Sequence, residues 1–339
     1  METIQVFKIL FVFQCVALVF FIVNFSQKST LKQTDNCGYR ENDIEKAFAE
    51  SRAIFGYEGL ADNSTRILTT RGKLSNCTLA DVKKRPGVVL LTTTNLGFLD
   101  VTLNMLESIK RAGICVSTTI VAEDPKAYQY LQRRAKRDPA VRVLMTNSGE
   151  IDSREVRAQN KRVYFDLLKK RQRYILALLQ QGFDVLFSDA DTFWFRDPFP
   201  YFQGDFDLSM VNVVDPYPTR TPNSRYCAGF AYFKPTSVSI QFVKTWIEEL
   251  QGEDVQDQIM MNRMLQADKP VHVNIKPLDE KIFPFGPLFY EQLEKKANYS
   301  TVVMHAASIR GHAAKVKKFR DSNMWLVSAS SGDLQAQKL

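Results

Sequence analysis

The sequence predicts an α/β protein built on a mostly parallel β-sheet with helices on both faces. Short apolar runs rich in β-branched residues alternate with longer stretches of helical apolar spacing in the first half of residues 86–327. Glycine and proline punctuate the junctions, beginning with Pro86–Gly87. The same range contains no internal repeat and no long linker, so we expect one domain there.

The elements of the first half follow one another in strand–helix order. Val88–Thr93 is a continuous apolar run that ends in threonines, as in a buried strand. From Leu99 to Ile109 apolar residues recur at helical spacing, which predicts a helix over Phe98–Ala112. The alternation then continues with a strand at Val116–Ala122, a helix at Lys126–Lys136, a strand at Val141–Met145, an amphipathic helix at Lys161–Gln181 and a strand at Val185–Ser188.

The second half is more mixed. We predict, in chain order, strands at Asp207–Val213 and Gly229–Phe233, helices at Ser237–Leu250 and Asp257–Leu265, and strands at Val271–Asn274 and Val302–His305. The small, polar tail Ser328–Leu339 is expected to be disordered. Sheets of this class bind ligands at the C-terminal ends of their strands, so the residues that follow each strand are the first candidates for function.

Two carboxylates, Asp189 and Asp191, follow the strand Val185–Ser188. Side chains at i and i+2 of an extended segment point to the same side, so the pair converges at an open strand end. Such a pair suits a hard cation, Mn²⁺ or Mg²⁺, that keeps positions for phosphate oxygens. Solvated loop aspartates are one alternative, and a haloacid-dehalogenase-type phosphatase with Asp189 as nucleophile is another. The mid-chain position, and Phe193 where those phosphatases carry threonine or valine, argue against the phosphatase.

The N-terminal region predicts a membrane anchor. Residues 9–25 are almost uncharged and apolar, so we predict a transmembrane signal anchor with residues 1–8 as a cytoplasmic tail and residues 26–85 as a lumenal stem. A cleaved signal peptide is the alternative, but no small-x-small cleavage site follows the apolar run. Three glycosylation sequons fit a lumenal domain, at Asn63, Asn76 and Asn298. We therefore expect a single-pass type II protein of the secretory pathway.

Charge narrows the choice of ligands. The formal net charge is +8, with basic clusters at residues 133–137, 154–173 and 315–320. Solvated helix faces account for such clusters as well as anionic ligands do. No nucleic-acid recognition module is recognisable, so we expect no nucleic-acid partner, whereas sugar nucleotides fit both the charge and the compartment.

The chain has five cysteines, of which Cys15 lies in the predicted anchor. The other four permit two disulfides in three pairings. We expect Cys37 to pair with Cys77 because both lie in the stem, and Cys115 to be a buried free thiol in a strand. There is no Cys-x-x-Cys pair and only three histidines are present, which excludes a structural zinc site of the usual kind.

Five blocks of sequence resemble the nucleotide-diphospho-sugar transferases of glycosyltransferase family 77. They are VVLLTTTNLGFLDVTLNMLESIKRAGI, LALLQQGFDVLFSDADTFWFRDP, RYCAGFAYFKPT, DVQDQIMMN and VVMHAASIRGHAAKVKKF, in that order. The resemblance covers about residues 86–327 and extends to the family-8 galactosyltransferases. It implies a GT-A fold, in which a Rossmann-like sheet is fused to a smaller acceptor-side subdomain. The implied reaction moves galactose or xylose from a UDP-sugar to a hydroxyl of a glycan or glycoprotein, with retention, in the Golgi.

The resemblance also implies a metal site. Asp191 and His305 would be protein ligands of Mn²⁺ or Mg²⁺, and Asp189 would contact both the metal and the ribose. A histidine that follows an apolar strand is more often a satisfied core residue, so the role of His305 depends on the family pattern.

Residues at other strand ends would hold the nucleotide. Thr93 and Asn95 correspond to the uridine-binding position, and Asp124 to a further nucleotide contact. For the residues that end the first strand, the alternative role is a polar cap between strand and helix. Arg171 corresponds to a basic residue directed at the donor, and Arg173 fits this role equally well by spacing.

The C-terminal segment would close over the diphosphate. Gly311 would allow close backbone approach and Lys315 would supply a point charge, with Lys317 and Lys318 as alternatives for the lysine. We expect residues 306–320 to be mobile without ligand and ordered with it.

The donor sugar would face Asp257 and Gln258, with Asn262, on a predicted helix. We assign Asp257 and Gln258 to sugar positioning and oxocarbenium stabilisation, with helix capping as the alternative for Asp257. The chain departs from the family at Cys227, where an asparagine usually precedes the small residue and glycine. This departure leaves the donor sugar open. It also keeps a second function class in play, a catalytically silent lumenal binding protein with a GT-A fold.

Overall fold

The computed structural model describes residues 77–146, 161–213, 225–252, 255–266, 272–296 and 300–327. Its strands, in chain order, are β1 Val88–Thr94, β2 Ser117–Ala122, β3 Val141–Met145, β4 Asp184–Ser188, β5 Thr192–Trp194, β6 Leu208–Asn212, β7 Tyr226–Phe233, β8 Ile275–Asp279 and β9 Val303–His305. Its helices are α1 Leu79–Val82, α2 Leu99–Arg111, α3 Pro125–Ala135, α4 Lys161–Leu168, α5 Arg171–Gln180, α6 Ser237–Glu249, α7 Asp257–Gln266, α8 Gly286–Glu294 and α9 His312–Asp321. The 3₁₀ turns are Leu96–Phe98 and Phe199–Phe202.

Seven strands form one mixed sheet in the order β3-β2-β1-β4-β7-β6-β8, and β5 pairs with β9 in a separate ribbon. The pairings from β3 to β4 are parallel, as the strand–helix alternation predicts. Strand β7 is antiparallel to both β4 and β6, while β8 is parallel to β6. The α/β class is therefore confirmed, and the second half contributes the antiparallel strand.

Both faces of the sheet are covered. Consecutive residues in the centre, Leu90–Leu91 of β1 and Leu186–Phe187 of β4, are all fully buried. Leu91 and Phe187 pack in one apolar cluster, and Leu90 and Leu186 pack in another on the opposite face. A strand buried on both sides has no polar face, so its sequence is a continuous apolar run.

Two predicted elements differ in kind, and β7 begins at Tyr226 where Gly229 is predicted. The helix expected over Lys161–Gln181 is broken between α4 and α5. At the break Lys170 directs its ammonium toward the buried carboxylate of Glu123, with Nζ 4.0 Å from Oε2, and Arg171 begins α5. The strand expected at Val271–Asn274 does not form over the described residues 272–274. Asn274 donates its backbone N–H to Asp207 Oδ2 over 2.9 Å, and the sheet pairing begins at the next residue.

The predicted disulfide is also wrong. Cys77 is bonded to Cys115, so Cys115 is not a free thiol and Cys77 does not pair with Cys37, which lies outside the described residues. Arg85 adds two contacts, donating to the carbonyl of Cys115 over 2.9 Å and forming an ion pair with Asp197. Residues 77–85, expected at the end of the stem, are thus fastened to the sheet domain.

Across the described ranges, no helix is both long enough and apolar enough to cross a membrane. The predicted anchor at residues 9–25 lies outside those ranges, as do the tail Ser328–Leu339 and the three sequon asparagines.

Candidate active site

The acidic pair lies where β4 ends. Asp189 donates its backbone N–H to the carbonyl of Gly229 in β7 over 2.7 Å, and the chain then turns into β5. Strand β5 pairs with β9 so that Thr192 lies opposite His305. The N–H of Ala306 also bonds to the carbonyl of Asp191 over 3.0 Å. This short ribbon delivers His305 to the acidic pair from a distant part of the chain.

The three side chains converge. His305 Nε2 lies 3.4 Å from Asp189 Oδ2 and 3.2 Å from Asp191 Oδ1. One ligand atom of each residue lies within 4.8 Å of the others. The structure thus brings together the three residues for which the sequence predicts a metal role.

The second oxygen of each carboxylate is held by a basic side chain. Arg171 Nη1 donates to Asp189 Oδ1 over 3.0 Å. Lys315 Nζ donates to Asp191 Oδ2 over 2.6 Å and to the carbonyl of Ala306 over 2.6 Å. Each carboxylate is therefore anchored on one side while its other oxygen faces His305, which fixes the direction of the free lone pairs.

Gly229 leaves the room that this convergence needs. A Cβ on this residue would lie 2.2 Å from Asp189 Oδ2 and 2.3 Å from His305 Cε1. The signal for it in the sequence is a glycine inside an apolar strand, which often marks close approach of another group. Gly229 is not among the site residues predicted from the sequence.

The donor set fits a divalent cation of the harder kind. Two carboxylate oxygens and one imidazole nitrogen suit Mn²⁺, and carboxylates alone suit Mg²⁺. A site with three protein donors leaves coordination positions for oxygens of a ligand. Asp189, Asp191 and His305 are the residues that would hold the ion.

Electrostatics in the site favour the ionised form of Asp191. Burial alone would raise the pKa of Asp191, but Lys315 and His305 outweigh it and hold the pKa well below its usual range. Burial would lower the pKa of His305, but Asp191 reverses this and raises it. Burial likewise disfavours the charged form of Arg171, and the carboxylates of Asp257 and Asp189 overcome it, so its pKa is raised. A cation entering this site would displace a proton from His305.

Asp257 lies behind the pair and is fully buried. Arg171 Nε donates to Asp257 Oδ2 over 2.5 Å, and Gln172 Nε2 donates to the same oxygen over 2.6 Å. Gln258 Oε1 accepts the backbone N–H of Ala228 over 3.0 Å. These contacts are with protein, and the sugar-positioning role of Asp257 and Gln258 stays a prediction.

The predicted nucleotide residues lie at the ends of β1 and β2. Asn95 Oδ1 accepts the N–H of Phe98 over 3.2 Å. Asp124 Oδ2 accepts the N–H of Leu96 over 2.6 Å, and its Oδ1 caps α3. Thr93 is half-buried at the end of β1. The contacts of Asn95 and Asp124 are those of polar caps, and the uridine-binding role of all three residues stays a prediction.

Beside Asp124 lies a buried acid that is not among the residues predicted from the sequence. Glu123 is 1% exposed, and its Oε1 accepts the hydroxyl proton of Tyr174 over 3.0 Å. Burial raises the pKa of Glu123 to about 7, against the opposing effects of Lys170 and Tyr174. A pair of carboxylates directly after β2 is the signal that marks this position in the sequence.

The structure distinguishes between the basic residues that the sequence offers as alternatives for contacting the donor. Arg173 is exposed on α5, whereas Arg171 is buried at the acidic pair. Lys317 pairs with Asp321 on the surface, and Lys318 lies over the ring of Tyr290. Arg171 and Lys315 are therefore the basic residues that reach the site.

Gly311 lies at the N-terminal end of α9. It precedes α9 with φ 84°, a left-handed conformation that favours glycine. His312 Nε2 lies 2.7 Å from Asp100 Oδ1, which joins α9 to the start of α2. Phe319 is fully buried at the other end of α9. Ligand-dependent mobility of residues 306–320 stays a prediction.

Known proteins are similar to this chain in sequence. The family model described as nucleotide-diphospho-sugar transferase matches residues 114–319. A UDP-D-xylose:L-fucose alpha-1,3-D-xylosyltransferase of Arabidopsis thaliana is 26% identical over 282 residues, covering 76% of this chain and 76% of that protein. A UDP-galactose:fucoside alpha-3-galactosyltransferase of Dictyostelium discoideum is 25% identical over 296 residues, covering 75% of this chain and 45% of that protein.

Solved glycosyltransferases are similar at low identity. GlyE of Streptococcus pneumoniae aligns with a TM-score of 0.46 and 11% identity, over 72% of this chain and 62% of that one. The galactosyltransferase LgtC aligns with a TM-score of 0.44 and 11% identity, over 73% of this chain and 100% of that one. The family match spans more than half of the sequence and contains Asp189, Asp191 and His305. The chain therefore belongs to the nucleotide-diphospho-sugar transferase family and is a glycosyltransferase.

Proposed function

We propose that this glycosyltransferase moves galactose or xylose from a UDP-sugar to a hydroxyl of a glycan or glycoprotein in a reaction that depends on Mn²⁺. One observation carries the proposal. Asp189, Asp191 and His305 bring three donor atoms close together. The other oxygen of each carboxylate is held by a basic side chain, Arg171 for Asp189 and Lys315 for Asp191. This is the arrangement that a metal-bound diphosphate needs.

The names of the relatives support the choice of sugars. They describe transfer of xylose from UDP-D-xylose to L-fucose and of galactose from UDP-galactose to a fucoside. Both sugars are α-linked in the nucleotide, and both names give an α-linked product, which means retention at the anomeric carbon. A fucose hydroxyl is accordingly the first acceptor to test.

The chain's own residues account for charge and positioning. When bound, Mn²⁺ would supply positive charge that offsets the charge growing on the departing diphosphate. Arg171 stays protonated and is fixed between Asp257 and Asp189. Its positive charge is therefore already in place beside the diphosphate position, and the side chain need not move during the reaction. Lys315 lies beside Asp191, within reach of a diphosphate bound there. Asp257 is fully buried and engaged by Arg171, which supports a positioning role rather than covalent attack.

We also propose that the protein is a single-pass type II protein of the Golgi membrane, on the strength of the apolar residues 9–25 and the sequons beyond them. Endoglycosidase treatment of the full-length protein from eukaryotic cells should then raise its gel mobility. An unchanged mobility, with the C-terminus open to protease in sealed microsomes, would reverse this orientation.

The activity is tested by incubating the full-length chain with Mn²⁺ and a panel of UDP-sugars, with and without a synthetic α-L-fucoside. We expect UDP release with UDP-xylose or UDP-galactose, a glycosylated fucoside as product, and loss of both on addition of EDTA. Binding of Mn²⁺ and UDP without turnover of any donor would favour the silent binding protein. Release of inorganic phosphate from a phosphomonoester would favour a phosphatase instead.

A further inference from the structure

The imidazole of His305 has a second contact, on the side away from the carboxylates. Its Nδ1 lies 3.4 Å from Sγ of Cys227, a free cysteine that is half-buried in β7. Its Nε2 faces Asp189 and Asp191. The two ring nitrogens therefore have different partners, a sulfur on one side and the candidate metal position on the other.

The backbone around Cys227 is held in place by side chains of α7. Asn262 Oδ1 accepts the N–H of Tyr226 over 2.7 Å, and its Nδ2 donates to the carbonyl of the same residue over 2.8 Å. Gln258 Oε1 accepts the N–H of Ala228 over 3.0 Å. Strand β4 pairs with β7 only as far as Phe230. The side-chain amides of Asn262 and Gln258 therefore bond to the part of β7 that β4 does not reach. The sulfur is consequently presented from a fixed position.

A neutral imidazole can bind a metal through one nitrogen only if the proton resides on the other. Histidines that bind metals almost always donate that second N–H to a fixed acceptor, which sets both the tautomer and the ring orientation. Sulfur is a weak acceptor, but 3.4 Å is within hydrogen-bond range for it. The alternative tautomer would turn the Nε2 proton toward the two carboxylates and remove the lone pair that a metal needs.

We propose that Cys227 is the positioning residue of the metal site, accepting the Nδ1–H of His305 and so presenting the Nε2 lone pair to the ion. This rests on the proposed metal-dependent function and names the group that tunes it. Cys227 thus contacts His305 on the side away from the metal position, as Arg171 contacts Asp189 and Lys315 contacts Asp191.

The test measures Mn²⁺ binding to the full-length chain by the electron paramagnetic resonance signal of free Mn²⁺, independently of turnover. Cys227→Ala removes the acceptor, and we expect roughly tenfold weaker Mn²⁺ binding. Cys227→Ser and Cys227→Asn keep an acceptor and should stay close to wild type. The thermal unfolding midpoint without metal should be similar in all four proteins, because the residue is only half-buried.

Three outcomes would overturn the assignment. Undiminished Mn²⁺ binding by Cys227→Ala would show that the sulfur does not position His305. Equal losses in Cys227→Ala, Cys227→Ser and Cys227→Asn would show that side-chain shape, not hydrogen bonding, is what matters. If the wild-type chain does not bind Mn²⁺, or if Asp191→Asn binds it as tightly as wild type, the metal-dependent function and the role of Cys227 are overturned together. Only in this last case does the proposed function fail.

Discussion

Replacing Gly229 by alanine places a methyl group between two ligands of the candidate metal site. The new Cβ would lie 2.2 Å from Asp189 Oδ2 and 2.3 Å from His305 Cε1. Each distance is about 1 Å shorter than ordinary contact. Asp189 cannot simply swing aside, because its other oxygen is held by the buried Arg171. The methyl group must therefore push Asp189 and His305 apart.

The size of the effect follows from that displacement. A shift of about 1 Å at a reacting centre lowers turnover about 100-fold. Overpacking of a well-packed region destabilises a protein by about 1–3 kcal/mol. We therefore expect Gly229→Ala to lose most of its Mn²⁺ affinity and to lower turnover of the donor about 100-fold, while the protein remains folded.

Gly113→Ala is the matched control. Gly113 has φ +68°, and a Cβ added there would have no other atom within 4 Å, so alanine strains the backbone by about 1 kcal/mol without crowding any neighbour. Mn²⁺ titration, UDP release and thermal unfolding are measured for both variants. Wild-type Mn²⁺ binding by Gly229→Ala, or an equal loss of turnover in Gly113→Ala, would refute the reasoning.

Three further predictions concern charged groups. Asp191→Asn replaces a charged ligand by a neutral one, so it should abolish donor turnover in a UDP-release assay while thermal unfolding stays near wild type; substantial remaining turnover would count against the metal site. Glu123 has its pKa raised to about 7 by burial, so the folded state loses stability as the pH rises from about 5 through 7. Glu123→Gln should consequently gain up to about 3 kcal/mol over wild type between pH 5 and pH 8 in urea unfolding, and a pH-independent difference would contradict the shift. Lys315→Met should bind Mn²⁺ alone more tightly but UDP more weakly, measured by calorimetry, and a change of both affinities in the same direction would be inconsistent with the contacts seen.

The parallel half of the sheet was predictable because each element there is determined locally. Val141–Met145 has the predicted bounds, and β1, β2 and β4 begin and end within one residue of the prediction. The runs that form β1 and β4 are buried on both faces, so apolar residues follow one another there with few interruptions. Helix α2 is predicted equally well, because its apolar stripe and Gly113 mark its face and its end.

Features that depend on distant partners were not predictable. Strand β5 has three residues and exists through its pairing with β9, which a local pattern does not indicate. Shared location in the stem predicts Cys37 as the partner of Cys77, whereas the fold brings Cys77 to Cys115 just before β2. The break between α4 and α5 coincides with a long-range approach of Lys170 to Glu123. In each case the deciding interaction is tertiary.

The site was predictable in its residues but not in its arrangement. The resemblance to the family names Asp189, Asp191 and His305, and the structure brings them together. The contact between Lys315 and Asp191 has no local signal, since a lysine four residues beyond a glycine on a basic helix is usually solvated. The position of the His305 ring between the carboxylates and Cys227 also has no local signal in the sequence, because it depends on side-chain orientation.

The charges of the site explain why Lys315→Met should change two affinities in opposite directions. Asp189 and Asp191 bring two negative charges and Lys315 brings one positive charge, so the group that these three residues form is net negative when His305 is neutral. A divalent cation turns it positive, which favours the diphosphate that follows. Lys315 opposes the first step, because its ammonium lies 2.6 Å from Asp191 Oδ2 and competes for that carboxylate. It assists the second step, because the same ammonium is then free to meet an anion. Arg171 cannot exchange partners in this way, since Asp257 holds it in the core. We therefore expect Arg171 and Lys315 to have separate tasks: Arg171 to hold the carboxylates in place, and Lys315 to set the order in which metal and nucleotide bind.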